Sequence, residues 1–178
     1  DPAWHSLSAR PGWLRLFPRF VLAGDLRAAP HVLCQKFTAR EFAVETEIDL
    51  SAVEGAVDAG LAVMGGEFAA AVVMRSPAGL RLLLRTDVEP RGEVVLPHRG
   101  PVRLRLDVGD GGGCRFLYDD AAEGWQQLGP EFFARAGAWT GARFGIFCGT
   151  CDPAADAAEG HADFGAVRVM PRDRHAPE

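Results

Sequence analysis

The 178 residues carry a net charge of −5, with 48% hydrophobic and 24% charged residues, so one sizeable core is within reach and wholesale disorder is excluded. The mild acidity argues against a nucleic-acid binder, which needs a basic stripe. No run approaches the roughly 20 apolar residues that a membrane helix requires, so no membrane partner is expected.

Periodicity of two dominates, and helical periodicity is scarce. The first candidate strands run from Trp13 to Leu16 and from Val32 to Phe37. Next, Phe42, Val44, Thr46, Ile48 and Leu50 alternate with Glu41, Ala43, Glu45, Glu47 and Asp49, which buries one face and wets the other. Ser51 to Ala59, with Ser51 as a cap and Glu54 three residues on, predicts one or two helical turns. Gly60 to Met64 and Phe68 to Met74 flank Gly65-Gly66, a pair suited to the positive backbone angles of a two-residue hairpin turn. Short strands follow over Leu80 to Arg85 and Glu93 to Leu96, and Val102 to Val108 alternates as cleanly as the segment from Phe42. The run Gly109 to Gly113 precedes another strand and no helix, so it reads as a hairpin turn and not a phosphate cradle. Strands are expected over Arg115 to Tyr118, Trp125 to Leu128, Arg143 to Cys148 and Asp163 to Met170, with a short helix over Pro130 to Ala136 and a loop from Gly149 to Gly160.

With no repeat and no low-complexity linker, residues 1–178 read as a single domain. About a dozen short antiparallel strands suit an all-β, two-sheet jelly-roll sandwich. Cys148-Gly149-Thr150-Cys151 is one Cys-x-x-Cys pair, with Cys34 and Cys114 distant and His161 as a conceivable third ligand. A single pair is a weak zinc signal, and loop cysteines are the plainer reading. Asp1-Pro2 does not read as a charged and then apolar leader, but localisation is not read from this end; four cysteines without an evident framework lean toward a reducing compartment such as the cytoplasm. No Ser-His-Asp or Gly-x-Ser-x-Gly arrangement is present.

Four segments in order carry a resemblance: Ser6 to Leu16 (SLSARPGWLRL), Ala59-Gly60-Leu61, Arg115-Phe116-Leu117-Tyr118 followed by Trp125 to Gly129, and Gly141 to Phe147 leading to Ala162-Asp163-Phe164. Together they resemble the concanavalin A-like β-sandwich at the C-terminus of bacterial β-xylosidases and arabinofuranosidases of glycoside hydrolase family 43. The resemblance implies a non-catalytic domain beside a separate five-bladed catalytic propeller, in an enzyme acting on xylo- or arabino-oligosaccharides. It also implies that a strand usually precedes the segment matching Asp1 to Trp4, so the first sheet is expected to lack or borrow an edge.

Several residues then become candidates. Sandwiches of this class often hold a structural calcium between terminal strands, and Asp163 is its candidate ligand; the plainer alternative is a strand-end Asp bonded to a turn. Trp139, just before Thr140-Gly141-Ala142, matches where the family places an aromatic side chain toward the substrate rim; a core or strand-edge tryptophan is the alternative. Trp4, Trp13 and Trp125 are expected to pack. Glu47-Ile48-Asp49 invites comparison with the Glu-x-Asp-x-x-Glu strand of family 16 enzymes, but the third carboxylate would fall at Ala52, so a solvated acidic face is the expectation. Competing functions are a free-standing lectin-like module holding oligosaccharides and, less favoured, a catalytic sandwich using Glu45, Glu47 or Asp49. A homo-oligomer remains open.

Overall fold

A computed structural model describes residues 3–21, 24–53, 57–120, 122–137, 141–151 and 160–171. Strands are numbered in chain order. The first sheet runs β1 (His5–Ser6), β2 (Leu14–Leu16), β15 (Ala162–Phe164), β5 (Phe42–Asp49), β10 (Val102–Val108), β11 (Gly113–Asp120) and β12 (Gly124–Gln127). On it, β13 (Phe132–Phe133) pairs with β11 and β16 (Arg168–Pro171) with β5. The second sheet runs β3 (Arg19–Phe20), β14 (Arg143–Thr150), β6 (Asp58–Met64), β7 (Phe68–Ser76), β8 (Gly79–Thr86) and β9 (Glu93–Leu96), with β4 (Leu33–Lys36) also on β14. Pairing is antiparallel throughout except for the short parallel contact of β3 with β14. The expected all-β sandwich of two sheets is what forms, with no α-helix among the described residues.

Alternation explains the core. Val44, Ile48, Leu104, Leu106 and Phe116 point inward from the first sheet to meet Leu61, Val63, Ala71, Val73, Leu82 and Ile146 of the second. Their opposite neighbours, Glu45, Arg103 and Arg105, face out, as a period of two requires. The second sheet is different, because its outer face is also apolar. Val21 and Leu26, on the excursion between β3 and β4, cover Ala62, Met64, Phe68, Ala70, Val72 and Phe147 in a smaller second cluster. Strands β6 and β7 are therefore dry on both faces.

Four local expectations are corrected. The β6–β7 turn is a three-residue loop, since Met64 pairs with Phe68 across Gly65, Gly66 and Glu67. Neither glycine has a positive φ. Gly65 is needed for close approach instead, because a Cβ there would lie 1.9 Å from the Arg135 carbonyl oxygen. The helix expected from Ser51 is replaced by a turn: the Asp49 carboxylate accepts the Ser51 N–H at 2.8 Å, and Val53 and Val57 are drawn into the core. Residues 54–56, Glu54 included, lie outside the described residues. The helix expected over Pro130 to Ala136 is strand β13 and coil, because Phe132 and Phe133 pair with Cys114 and Gly113 of β11. Finally, the strand from Asp163 to Met170 is two strands on one edge of β5. Between Phe164, opposite Ile48, and Arg168, opposite Glu45, three residues face two, which is a one-residue bulge.

Candidate functional site

Asp163 sits where β2, β15 and β5 meet, and the register explains its environment. It lies directly opposite Arg15 on one side and Asp49 on the other. Two carboxylates opposed across a ladder repel, so a cation must lie between them. Arg10, from the loop before β2, supplies it: its Nη1 donates to Asp49 Oδ2 at 2.7 Å and to Asp163 Oδ2 at 3.1 Å. Arg15 adds a two-pronged contact, Nε to Oδ1 at 2.8 Å and Nη2 to Oδ2 at 3.0 Å. The Arg10 guanidinium also lies 3.9 Å from the centre of the Trp13 ring. Asp163 is buried, with 3% of its surface exposed. Burial alone would raise its carboxyl, but hydrogen bonds from Arg15 and then Arg10 hold it below the ordinary carboxylate range. Asp49 is likewise held low, the Ser51 N–H and Arg10 outweighing its burial.

This donor set does not fit calcium. Both oxygens of Asp163 and one of Asp49 face guanidiniums, and the remaining Asp49 oxygen accepts the Ser51 N–H. A divalent ion needs free oxygens and would have to displace Arg10 against the charge of Arg15. Among the described residues no group of three or more His, Cys, Asp or Glu side chains is placed to hold a metal ion. His161 lies beside Asp163, Nε2 to Oδ2 at 3.7 Å, and its imidazole is pushed below its ordinary value by burial and then by Arg15, against the pull of Asp163.

The acidic face of β5 is a lattice of ion pairs. Glu45 meets Arg105 at 3.0 Å and Arg103 at 3.3 Å, Arg103 reaches Asp119 at 2.9 Å, and Arg105 reaches Asp107 at 2.6 Å. Trp125 lies on this face with the Arg103 guanidinium 4.9 Å from its ring centre. Ala52, the position a third carboxylate would need, has left the strand for a turn. Alternate residues do share a face, but guanidiniums neutralise Glu45 and Asp49 where a glycosidase needs one carboxyl free to give a proton and another to attack.

Trp139 lies outside the described residues, and the residues flanking it are tied to the rest of the sandwich by backbone hydrogen bonds. Gly137 N–H donates to the Gly141 carbonyl at 3.3 Å, Gly66 N–H to Arg135 at 3.1 Å, and Ala134 N–H to Gly112 at 2.8 Å. Elsewhere, along the open side of the sandwich where β2 faces β4, an apolar cleft of about 400 Å³ is lined by Trp4, Leu7, Leu14, Leu16, Val32 and Leu33. Leu7 and Leu33 are 72% and 57% exposed there. Among the described residues the first sheet ends at β1 on this side.

The sequence profile of the β-xylosidase C-terminal concanavalin A-like domain matches residues 1–170. The chain belongs to that family. Solved structures agree on the fold. A bifunctional GH43-CE protein of Bacteroides eggerthii superposes with a TM-score of 0.83 at 19% identity, over 97% of this chain and 23% of that one. The xylan β-1,4-xylosidase of Bacillus halodurans C-125 gives 0.77 at 20% identity, over 96% and 35%. The GH43 protein BlXynB of Bacillus licheniformis gives 0.77 at 19%, over 97% and 35%. The chain therefore spans between about a quarter and about a third of those polypeptides. Comparison with curated proteins finds no match.

Within this concanavalin A-like domain two of the four cysteines, Cys114 and Cys148, belong to the core. Cys114 and Cys148 are buried, and burial pushes both thiols up to about 12, far from the thiolate that metal binding or nucleophilic work demands. Cys34 and Cys151 are exposed, and all four are free. Arg10 and Arg15 are the residues that reading the sequence missed. Both lie inside the SLSARPGWLRL segment, but their partners are 39 to 153 positions away and leave no local signal. No helix among the described residues is long and apolar enough to cross a membrane.

Proposed function

We propose that this domain is the non-catalytic β-sandwich of a family 43-like glycoside hydrolase, packed against a catalytic five-bladed propeller and bordering its substrate rim during oligosaccharide breakdown. The observation that carries the reading is the family match over residues 1–170, in a chain that spans 23–35% of its solved neighbours. Two features support it. Glu45 and Asp49 of the acidic face are committed to arginines, and the apolar open side with Leu7 and Leu33 is suited to burial against another domain. In this reading Trp139 serves at the rim, as the family resemblance implies, where a tryptophan ring stacks on sugar C–H groups.

The test compares three proteins in hydrolysis of aryl β-xylosides and α-arabinofuranosides: the 178-residue chain, the parent polypeptide, and the parent carrying Trp139→Ala. The chain alone is expected to release no product. Loss of the stacking ring is expected to lower the parent's kcat/KM about tenfold, the equivalent of roughly 1.4 kcal/mol, without changing the melting temperature of the sandwich. Hydrolysis by the chain alone overturns the reading, and an unchanged kcat/KM removes Trp139 from the rim.

A further inference from the structure

The end of the second sheet carries a feature that the accessory role does not use. Lys36 of β4 and Arg143 of β14 are direct cross-strand partners, and Met64 of β6 continues the row. Like charges placed opposite one another in a ladder destabilise it unless an anion lies nearby. Among the described residues neither Lys36 nor Arg143 has a carboxylate partner. Arg143 lines a cleft of about 390 Å³ together with Arg27, Pro30, Val32, Cys34 and Met64. It shares this lining with Cys34, and its charge acts there against the upward push of burial on the thiol.

The acidic residues nearby are already engaged. Arg27 closes the far wall, its Nε and Nη2 held by the Asp25 carboxylate at 3.0 Å each and its Nη1 by the Gly66 carbonyl at 2.8 Å and by Asp87 at 3.4 Å. Asp25 is thereby tied to Arg27, and its carboxyl is held below its ordinary value mainly by that hydrogen bond. Beyond the rim, Glu67 lies 4.0 Å from Arg135. The uncompensated charge is that of Arg143, which lines the cleft, and of Lys36, its cross-strand partner beside it, two residues beyond Cys34 on β4.

We propose that this cleft binds a small oxyanion, a carboxylate or a phosphate, between Arg143 and Lys36. Arg143 offers paired N–H donors to two oxygens of the ligand, and Lys36 adds a point charge. The anion relieves the repulsion between the two cations, so binding and folding are linked. The inference rests on the local register and is independent of the proposed enzymatic role.

Titration calorimetry and thermal melts of the 178-residue chain test it with glucuronate, inorganic phosphate and uncharged xylose, at ionic strength fixed with sodium chloride. Glucuronate or phosphate is expected to bind saturably and to raise the melting temperature, and xylose to do neither. Glucuronate alone identifies an organic carboxylate as the ligand, and phosphate alone a phosphate. Arg143→Gln is expected to weaken binding at least tenfold while leaving the ligand-free melting temperature equal or higher, because the like-charge pair is gone. Lys36→Gln is expected to act the same way more weakly. Absence of saturable binding by either anion, or undiminished binding to Arg143→Gln, overturns the proposal.

Discussion

Asp163→Ala is expected to lower the unfolding free energy by about 3 kcal/mol. Removing one member of a buried ion network leaves the others uncompensated, at roughly 3–5 kcal/mol when the remaining charges stay buried. The low end applies because Arg15 and Arg10 are only partly buried, with 20% and 35% of their side chains exposed, and recover some hydration. The loss reaches further than one contact: Arg10 and Arg15 tie the loop before β2, and β2 itself, to β15 and β5. Urea titration reads the change, and a loss below about 1 kcal/mol, the scale of an exposed pair, would show the network to be ornamental.

The same network fixes a pH dependence. Asp163 and Asp49 have folded-state values below their ordinary carboxylate value, so their contribution is fully present above pH 4 and disappears as pH falls through the lowered values. His161 is also depressed, so the unfolded chain takes up its proton first, and stability begins to fall as pH drops below the ordinary histidine value. The wild type is thus expected to lose stability in two stages on acidification. Asp163→Ala should lose most of the second.

Gly60→Ala is expected to cost about 3 kcal/mol, for a steric reason. A Cβ at this position would lie 2.0 Å from the Ala71 carbonyl oxygen and 3.1 Å from the Phe147 ring. The oxygen is backbone, held by the ladder of β6 with β7, so no rotamer change relieves the clash. Strand β6 must therefore separate from β7, and the Phe147 ring in its cluster must give by a few tenths of an ångström as well. A melting temperature within a degree or two of wild type would mean that the two strands lie further apart than this packing requires.

Much of the sandwich is legible because burial on one face and water on the other force alternation into the sequence. The segments from Phe42 and from Val102 therefore match β5 and β10 to within a residue. Legibility fails where that contrast disappears. Arg19–Phe20 and His5–Ser6 are too short to show a period, and Val21 and Leu26 pack over the second sheet from an irregular excursion. A one-residue bulge within Gly165 to Val167 divides what the sequence presents as one strand. At the candidate site, Asp163 is conspicuous through its Ala-Asp-Phe setting, whereas its role depends on arginines nearly the whole chain away. Likewise, the opposition of Lys36 to Arg143 exists only once β4 has found its register on β14.

The apolar cover over the second sheet has a dynamic consequence. Amides of β6 and β7 lie in the middle of a sheet, paired on both edges and sealed from water above and below. No local fluctuation exposes them, so their hydrogen exchange has to proceed through complete unfolding. Leu61, Ala62, Ala70 and Ala71 are expected to exchange with deuterium at one common, slowest rate whose free energy equals the global stability. Amides of the edge strands β1 and β12 should exchange through smaller openings, orders of magnitude sooner. The two central strands thus keep the record of how often the whole sandwich comes apart.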